Sequence, residues 1–399
     1  MKLLYIHQYF TFPENPGGTR SYDLATQFAK RSVEVTVISS NRQSSGASKW
    51  TEMDREGMHF YFLNCEYNNN MGFVARIKAF VKFMIEASKK AREIDCDIAL
   101  ATSTPLTVGF PVYRLKKKKK IPYVFEVRDV WPYVPIAMGY FKNKLSQKFL
   151  YACEKAIYNN ASAIVPLSVG MDKNIKSRYP NNKSVVIPNI SEVNRFANIE
   201  QTVDIQFPED KKIILYAGTF GNVNGIGYVI RMAEQILKID DSIWFYLIGK
   251  GKEKEAVKEQ AEKCGVWGKN VFIFDPVRKN DLPYLYSKCT AGSSYVIDLP
   301  ALWDNSANKF FDTLAAGKPM IINHEGWQAD AIREHNFGYV LPPVIDEKAA
   351  KEFAEYMNDA DLLQQQGKNA YEQAVKEYSL EVAVNKYMGI FDKIMKSRS

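Results

Sequence analysis

The stretch Asp304-Asn305-Ser306-Ala307-Asn308-Lys309-Phe310-Phe311-Asp312, continuing as Thr-Leu-Ala-Ala-Gly317-Lys-Pro319, sets two carboxylates on either side of a seven-residue run in which Asn305, Ser306, Asn308 and Lys309 are polar. Asp312 reads as the opening of an amphipathic helix that stops at Gly317. A loop entering a helix leaves backbone N–H groups without intrahelical partners, and these attract phosphate. Acids flanking such a start can hold sugar and ribose hydroxyls. The layout suits a nucleotide sugar better than a nucleic acid, which would call for a row of basic residues in place of the acids. The plainer reading of the same Asp pair is a helix cap.

Outward from this stretch, apolar β-rich runs alternate with helical ones along the chain, which points to parallel sheets with crossover helices. The runs are 3–6, 33–39, 59–63, 98–101, 123–127 and 163–166 in the first half, and 213–217, 244–248, 271–274, 290–296 and 320–322 in the second. Helices fall between them, for example 19–30 with Leu24, Ala25 and Phe28 on one face, and 226–237 with Val229, Ile230, Ala233 and Leu237. Each half therefore reads as a doubly wound α/β sheet. The linker is placed at Ser184-Val-Val-Ile-Pro188-Asn189, where a strand runs into a proline turn, giving domains 1–188 and 189–379. A length of 399 residues agrees with two domains at ~100–200 residues each.

The composition is 46% hydrophobic and 13% aromatic, that of a well-packed soluble chain, and disorder is not indicated. Five cysteines without Cys-x-x-Cys spacing support neither a zinc site nor a disulfide framework, so reduced thiols of a cytoplasmic protein are expected. The opening Met-Lys-Leu-Leu-Tyr-Ile reaches polar residues by His7, too soon for a signal peptide. The most apolar long segment, 98–115, is broken by Pro105, Pro111 and several hydroxyls and is too short to span a bilayer, so any membrane association is expected to be peripheral. Part of the net charge of +8 is concentrated in Lys116, Lys117, Lys118, Lys119 and Lys120, followed by Lys142, Lys144 and Lys148. This region is read either as a solvated helix end or as a patch attracted to anionic lipid headgroups. Nucleic acid is not expected as a partner, because no aromatics interleave with the basic run.

Ligands of open parallel sheets sit outside the carboxyl ends of the strands. That edge receives Pro16-Gly17-Gly18-Thr19-Arg20 after the first strand, where the glycines let backbone approach a diphosphate and Arg20 can fork onto its oxygens. It also receives Arg128-Asp129-Val130-Trp131-Pro132, either a cleft-facing catalytic pair beside a sugar-stacking ring or an internal ion pair, and Gly218 after 213–217. His7 sits there too, as structural or as a substrate contact. Lys250, in Gly249-Lys250-Gly251, and Val277, in Asp275-Pro276-Val277, follow strands and can face a nucleotide or a base edge. Asp95-Cys96-Asp97 imitates an Asp-x-Asp metal site but precedes its strand, at the wrong edge, so no metal or other cofactor is expected.

Together these positions resemble the retaining glycosyltransferases of the two-domain GT-B fold, family four, over nearly the whole chain. The resemblance implies two Rossmann-like domains facing across a cleft, with the last helix, about 380–399, packing back on the first. The family's Glu, seven residues, Glu motif is matched by Asp304 and Asp312. By that resemblance the first approaches the donor hexose and the second holds the ribose. The opening Tyr-Ile-His-Gln-Tyr-Phe, Arg-Asp-Val-Trp-Pro and Asn-Lys-Phe-Phe-Asp look most like the branch that makes bacterial O-antigen and capsule units, N-acetylfucosamine transferases included. Two departures concern charge. The family commonly carries an Arg directly after the glycine of the Ala-Gly218 turn and a Lys five residues later, where this chain has Thr219 and Asn224. Lys309 and Arg20 are the expected replacements. A third is Arg128, where the family often has His.

What this implies is metal-independent, retaining transfer of a hexose, with an N-acetylated one expected, from a UDP-sugar to a polyprenyl-diphosphate-linked saccharide, at the cytoplasmic face of the plasma membrane. Two other readings stand beside it: a sugar-nucleotide-binding subunit that does not turn over, and a GT-B-fold UDP-N-acetylglucosamine epimerase.

Overall fold

The computed structural model describes residues 1–15, 17–41, 48–67, 71–180, 183–200 and 203–398. Pro16 of the Pro16–Arg20 stretch and Ser399, at the end of the expected segment 380–399, lie outside the described residues. The chain divides into two compact units. Met1–Pro13, Gly17–Pro188 and Ala383–Ser399 make the first, and Glu14–Pro16 with Asn189–Val382 make the second.

The first unit holds β1 (Lys2–Ile6), β2 (Glu34–Asn41), β3 (Trp50–Arg55), β4 (Met58–Asn64), β5 (Ile98–Thr102), β6 (Tyr123–Val127) and β7 (Ala163–Pro166). They form one sheet in the order β3-β4-β2-β1-β5-β6-β7, parallel except for the β3–β4 pair. The second unit holds β8 (Lys212–Ala217), β9 (Ile243–Ile248), β10 (Val271–Phe274), β11 (Ala291–Ser294), β12 (Met320–Ile322) and β13 (Gly338–Val340), in the all-parallel order β10-β9-β8-β11-β12-β13. The order reverses around β1 in one sheet and β8 in the other, and ligand crevices open at such points. Both sheets carry helices and are doubly wound α/β, as the alternating runs predict.

Three details differ from the sequence expectation. The edge strand β3, Trp-Thr-Glu-Met-Asp-Arg, is largely exposed and polar, so it carries no apolar run. The run 290–296 pairs only over Ala291–Ser294, because beyond it Val296 N turns to Asn323 Oδ1 and Ile297 N to the Val223 carbonyl. The helix assigned to start at Asp312 starts at Asn308 and ends at Ala315, which puts Asp312 at its fifth residue, one turn inside. Ala307 is the last extended residue before it.

The helix Leu380–Lys396 packs in the first unit from Ala383 on: Tyr387 and Phe391 lie edge-on to Phe28, with centroids 5.8 and 5.4 Å away. It also closes a buried polar knot. Arg20 Nε donates to Glu126 Oε2 at 3.0 Å, and Glu126 accepts from the Thr102 and Tyr387 hydroxyls as well. Burial alone would raise the Glu126 carboxyl, but Arg20 first and Arg128 second, helped by those hydroxyls, hold it below the usual glutamate range. A carboxylate held low in the fold stabilises above its unfolded pKa, and that contribution is lost as pH falls through the folded value. Glu126→Ala, which leaves the Arg20 guanidinium buried and unpaired, is expected to cost about 3–5 kcal/mol in urea unfolding at pH 7. The gap to the parent should narrow on acidification.

Candidate functional site

At the carboxyl edge of the second sheet, the turns after β8 and β9 are laced together by backbone. Gly218 N donates to the Ile248 carbonyl and Phe220 N to the Lys250 carbonyl, both at 2.9 Å. The approach is too close for side chains: a Cβ on Gly249 would stand 1.8 Å from the Gly218 oxygen, and one on Gly251 would stand 2.0 Å from the Phe220 oxygen. Tyr216, at the end of β8, ties the turn from beneath by donating its hydroxyl to the Thr219 carbonyl at 2.7 Å. The Thr219 and Lys250 side chains are exposed at this rim.

The helix Asn308–Ala315 meets the same turn. Lys309, its second residue, lays its stem where a Gly218 Cβ would be, 2.8 Å from that position at Cε, and its ammonium lies 5.0 Å from the Tyr216 ring centroid. Burial lowers the Lys309 pKa to about 8, with Asp312 pulling the other way. Asp312 is buried in turn, and burial pushes its carboxyl up to about 7. Lys279 is the foremost of the charges around it, followed by Glu192, which raises it further, then Arg195 and Lys309. Glu192 is itself ion-paired with both Lys279 and Arg195. One helix start thus gathers a buried cation and a buried acid, both displaced toward neutrality.

The polar run before the helix is held in shape from within the unit. Asn189 donates through N to Ser306 Oγ at 3.3 Å, and through Nδ2 to the Ser306 carbonyl at 3.1 Å and to Asn308 Oδ1. The Asn305 carbonyl accepts from Trp327 Nε1 and Gln328 Nε2, and Asn305 Oδ1 accepts from Ala307 N. Asp304 is half-buried just before this run. Val277 lies half-buried in the loop after β10, and neighbouring Asp275 is paired with Lys254 at 2.6 Å.

In the first unit, Gly17 takes φ +135°, a conformation that favours glycine, and lies exposed beside half-buried Gly18. Arg20 does not face outward with them. It is 2% exposed, and besides Glu126 it donates Nη1 to the Pro188 carbonyl at 2.6 Å and Nη2 to the Ile187 carbonyl at 3.0 Å. The expectation that it forks onto phosphate is corrected accordingly, because each of its three nitrogens already serves the interior of its own unit. Arg128 N is anchored to Ser103 Oγ at 3.0 Å, its side chain is half-buried, and Asp129 is exposed at the carboxyl edge. At the amino edge, Asp95 pairs with Lys2 Nζ and Asp97 accepts from Lys2 N. Among the described residues no group of three or more His, Cys, Asp or Glu is placed to hold a metal ion.

Sequence reasoning missed Tyr216, Glu192, Lys279, Trp327 and Gln328 as parts of this arrangement. Tyr216 sits in an apolar strand and reads as core. Glu192 and Lys279 come together across 87 residues with no motif to mark them.

Two family descriptions match the chain, one for each half: "Glycosyltransferase Family 4" over residues 17–195 and "Glycosyl transferases group 1" over residues 198–373. A curated relative from Escherichia coli (strain K12), named as a colanic acid biosynthesis glycosyl transferase, WcaI, is 28% identical over 141 residues, 34% of this chain and 34% of that one. The aligned part thus spans about a third of that relative's length. Among solved structures, sucrose-phosphate synthase from Thermosynechococcus elongatus superposes with a TM-score of 0.77 at 14% identity, covering 99% of both chains. Anabaena HepE in complex with UDP and glucose gives 0.68 at 13% identity, covering 98% of this chain and 100% of its own. At such identities the likeness shows the fold, which is GT-B.

Two outcomes follow from the geometry. Gly249→Ala should destabilise the second unit by at least about 1–3 kcal/mol, read as a lowered urea midpoint, since two backbones must separate. For Asp312, the fold keeps a proton that the unfolded chain releases between 3.8 and about 7, so this group's contribution to stability falls as pH rises through that window. The stability of Asp312→Asn relative to the parent should therefore climb with pH, by at most about 1.4 kcal/mol per pH unit, and level off above about pH 7.

Proposed function

We propose that this GT-B-fold glycosyltransferase moves a hexose, an N-acetylated one in our reading, from a UDP-sugar to a lipid-linked saccharide, with retention at the anomeric carbon and without a metal ion. The observation that carries the proposal is the Lys309 ammonium, buried at a helix start against the Gly218 turn and next to buried Asp312.

The chemistry needs placement and charge more than covalent participation. As the bond from the anomeric carbon to the diphosphate oxygen breaks, its electron pair goes to that oxygen while positive charge builds on the sugar ring. Lys309 and the N–H groups at the start of its helix stabilise the diphosphate. With a pKa near 8, Lys309 is still mostly cationic at neutral pH. The acceptor oxygen bonds to the anomeric carbon from the same face, and its proton passes to the departing phosphate, so no dedicated protein base is required. In this reading Asp304 orients the donor hexose, Asp312 the ribose, Val277 the base edge, and Gly218, Thr219, Lys250, Asn305, Ser306 and Asn308 line the donor. Gly17, Gly18, Arg128 and Asp129 belong to the acceptor side.

HepE was solved with UDP, which supports a UDP-sugar, and WcaI is named for colanic acid biosynthesis, which supports a polysaccharide product. In this reading the lipid-borne acceptor is met peripherally, at the inner face of the plasma membrane; among the described residues no helix is long and apolar enough to cross a membrane. Two basic clusters stand in the first unit, lysines 116–120 and the group Lys142, Lys144 and Lys148. A binding subunit is the competing reading, since Thr219 and Asn224 stand where the family places cations, and an epimerase would consume donor with no acceptor present.

Thermal-shift titration against UDP-, GDP- and ADP-sugars should show stabilisation by the UDP series, by about 2.7 kcal/mol at a ligand concentration one hundred times Kd. Stabilisation by GDP-mannose alone would overturn the nucleotide assignment. Transfer or donor hydrolysis should survive EDTA. Lys309→Ala should reduce kcat by about 10²–10³-fold. Inactivity of the parent with every UDP-sugar and acceptor extract would favour the binding subunit.

A further inference from the structure

The helix Lys144–Asn160 begins with its apolar side facing water. Leu145 is 77% and Phe149 68% exposed, one turn apart, exposed Ala152 continues the stripe, and Tyr140 in the preceding turn is 62% exposed. Scattered single apolar residues on a surface are ordinary, but three large ones gathered at one tip form a patch that asks for a partner. Lys144 and Lys148 run alongside that stripe, and Lys142 precedes it, all exposed. Between Asp129 and Glu154 there is no acidic residue, and these lysines are the only charges.

Helix stability does not account for this composition. The Asn143 side chain already caps the helix by accepting from Leu145 N and Ser146 N, and the first turn holds Lys144 with no acid, against the preference of a helix start for negative charge. Nor does packing account for it. Near the far end, Ile157 presses on the first sheet, with its carbonyl accepting from Tyr123 Oη and its Cγ2 2.7 Å from where a Gly109 Cβ would be. Leu145 lies twelve residues earlier, ~18 Å along the axis, with nothing covering it.

We propose that Tyr140, Leu145 and Phe149, rimmed by Lys142, Lys144 and Lys148, form a bilayer-docking tip that inserts its apolar side chains among the headgroups of an anionic membrane. Apolar residues beside lysines on one end of a helix are what an anionic lipid interface binds, through burial and charge together. A protein partner fits less well. Phe and Tyr bury about 150–250 Å² each at most, so three side chains fall short of the ~800 Å² per partner of a stable interface.

This assignment separates the tip from the other basic cluster. Lysines 116–119 close the helix Gly109–Lys119, and Lys119 Nζ is bonded to the Arg92 carbonyl, close to Asp95 at the amino edge of the sheet. Among the described residues no large apolar side chain is exposed within that cluster. The inference rests on the lipid-borne acceptor proposed above for its purpose, but its test needs no turnover, so glycosyl transfer and docking fail independently.

Co-sedimentation of the full chain with phosphatidylcholine vesicles, with and without phosphatidylglycerol, should show binding that needs the anionic lipid and weakens with salt. Leu145→Glu/Phe149→Glu should reduce that partition by about tenfold or more with unchanged thermal unfolding, while glutamine at all of lysines 116–120 should leave most of it. Leu145→Trp should give a blue-shifted emission on adding the anionic vesicles. Parent-like partition of the double glutamate variant, or loss that follows lysines 116–120 instead, overturns the proposal. A parent that is dimeric without vesicles and becomes monomeric in the double variant also overturns it, by making the tip a contact between copies of the chain.

Discussion

Backbone pressed directly on backbone at the carboxyl edge of the second sheet is the constraint from which the rest of that unit follows. With the Gly218–Phe220 turn and the Gly249–Gly251 turn closer than any side chain would permit, the two loops form one rigid floor. Tyr216 braces the floor from below, and the stem of Lys309 lies across it. Floor and helix start therefore share one position, and a charge carried by the helix is delivered to a fixed point on the floor. Pre-set placement of this kind is what electrostatic stabilisation of a developing charge requires, because nothing needs to reorganise when the charge appears.

The two units treat buried charge in opposite ways. In the first, Arg20 and Glu126 meet with both carboxylate oxygens and all three guanidinium nitrogens engaged, and the carboxylate is held ionised despite its burial. That knot ties together the first helix, the ends of β5 and β6, the Ile187–Pro188 stretch and the last helix. In the second, Lys309 and Asp312 are buried at a cost that their neighbours do not cancel, so both drift toward their neutral forms. A structural pair is arranged like the first. Displacement of both members toward neutrality is what burial without a cancelling partner produces, and in the proposed function a donor phosphate supplies that partner for Lys309.

How far the sequence discloses this depends on the range over which each feature is determined. Eleven of the strands are announced by local apolar runs, and β6, β7, β10 and β12 begin and end where those runs do. The polar edge strand β3 and the three-residue β13 lack that signal. The helix start at Asn308 was hidden because the residues before it are shaped from afar. Asn189 holds Ser306 and Asn308 from 117 and 119 positions away, and Trp327 and Gln328 hold Asn305 from the other side. Arg20 shows the same limit. Its place after β1 is legible, but its partner Glu126, 106 residues on, is not, and the partner decides whether the guanidinium faces a ligand or the core.

The uncharged Thr219 and Asn224 can then be understood through Lys309. Thr219 is exposed, with its carbonyl taken by Tyr216, and Asn224 N closes a tight turn back to the Gly221 carbonyl. Neither brings positive charge to the floor; Lys309 brings it from the helix start that lies against Gly218. A cation at the start of a helix is opposed by the helix dipole, and burial opposes it further, which is the direction of its lowered pKa. Both penalties shrink when an anion arrives, since the same N–H groups and the same ammonium then share a negative partner. A cation supplied by a flexible loop would be comfortable in water with or without ligand. One supplied by a buried helix start is stabilised chiefly when a phosphate is present, so in the proposed function a helix lysine standing in for turn cations concentrates the interaction on the bound state.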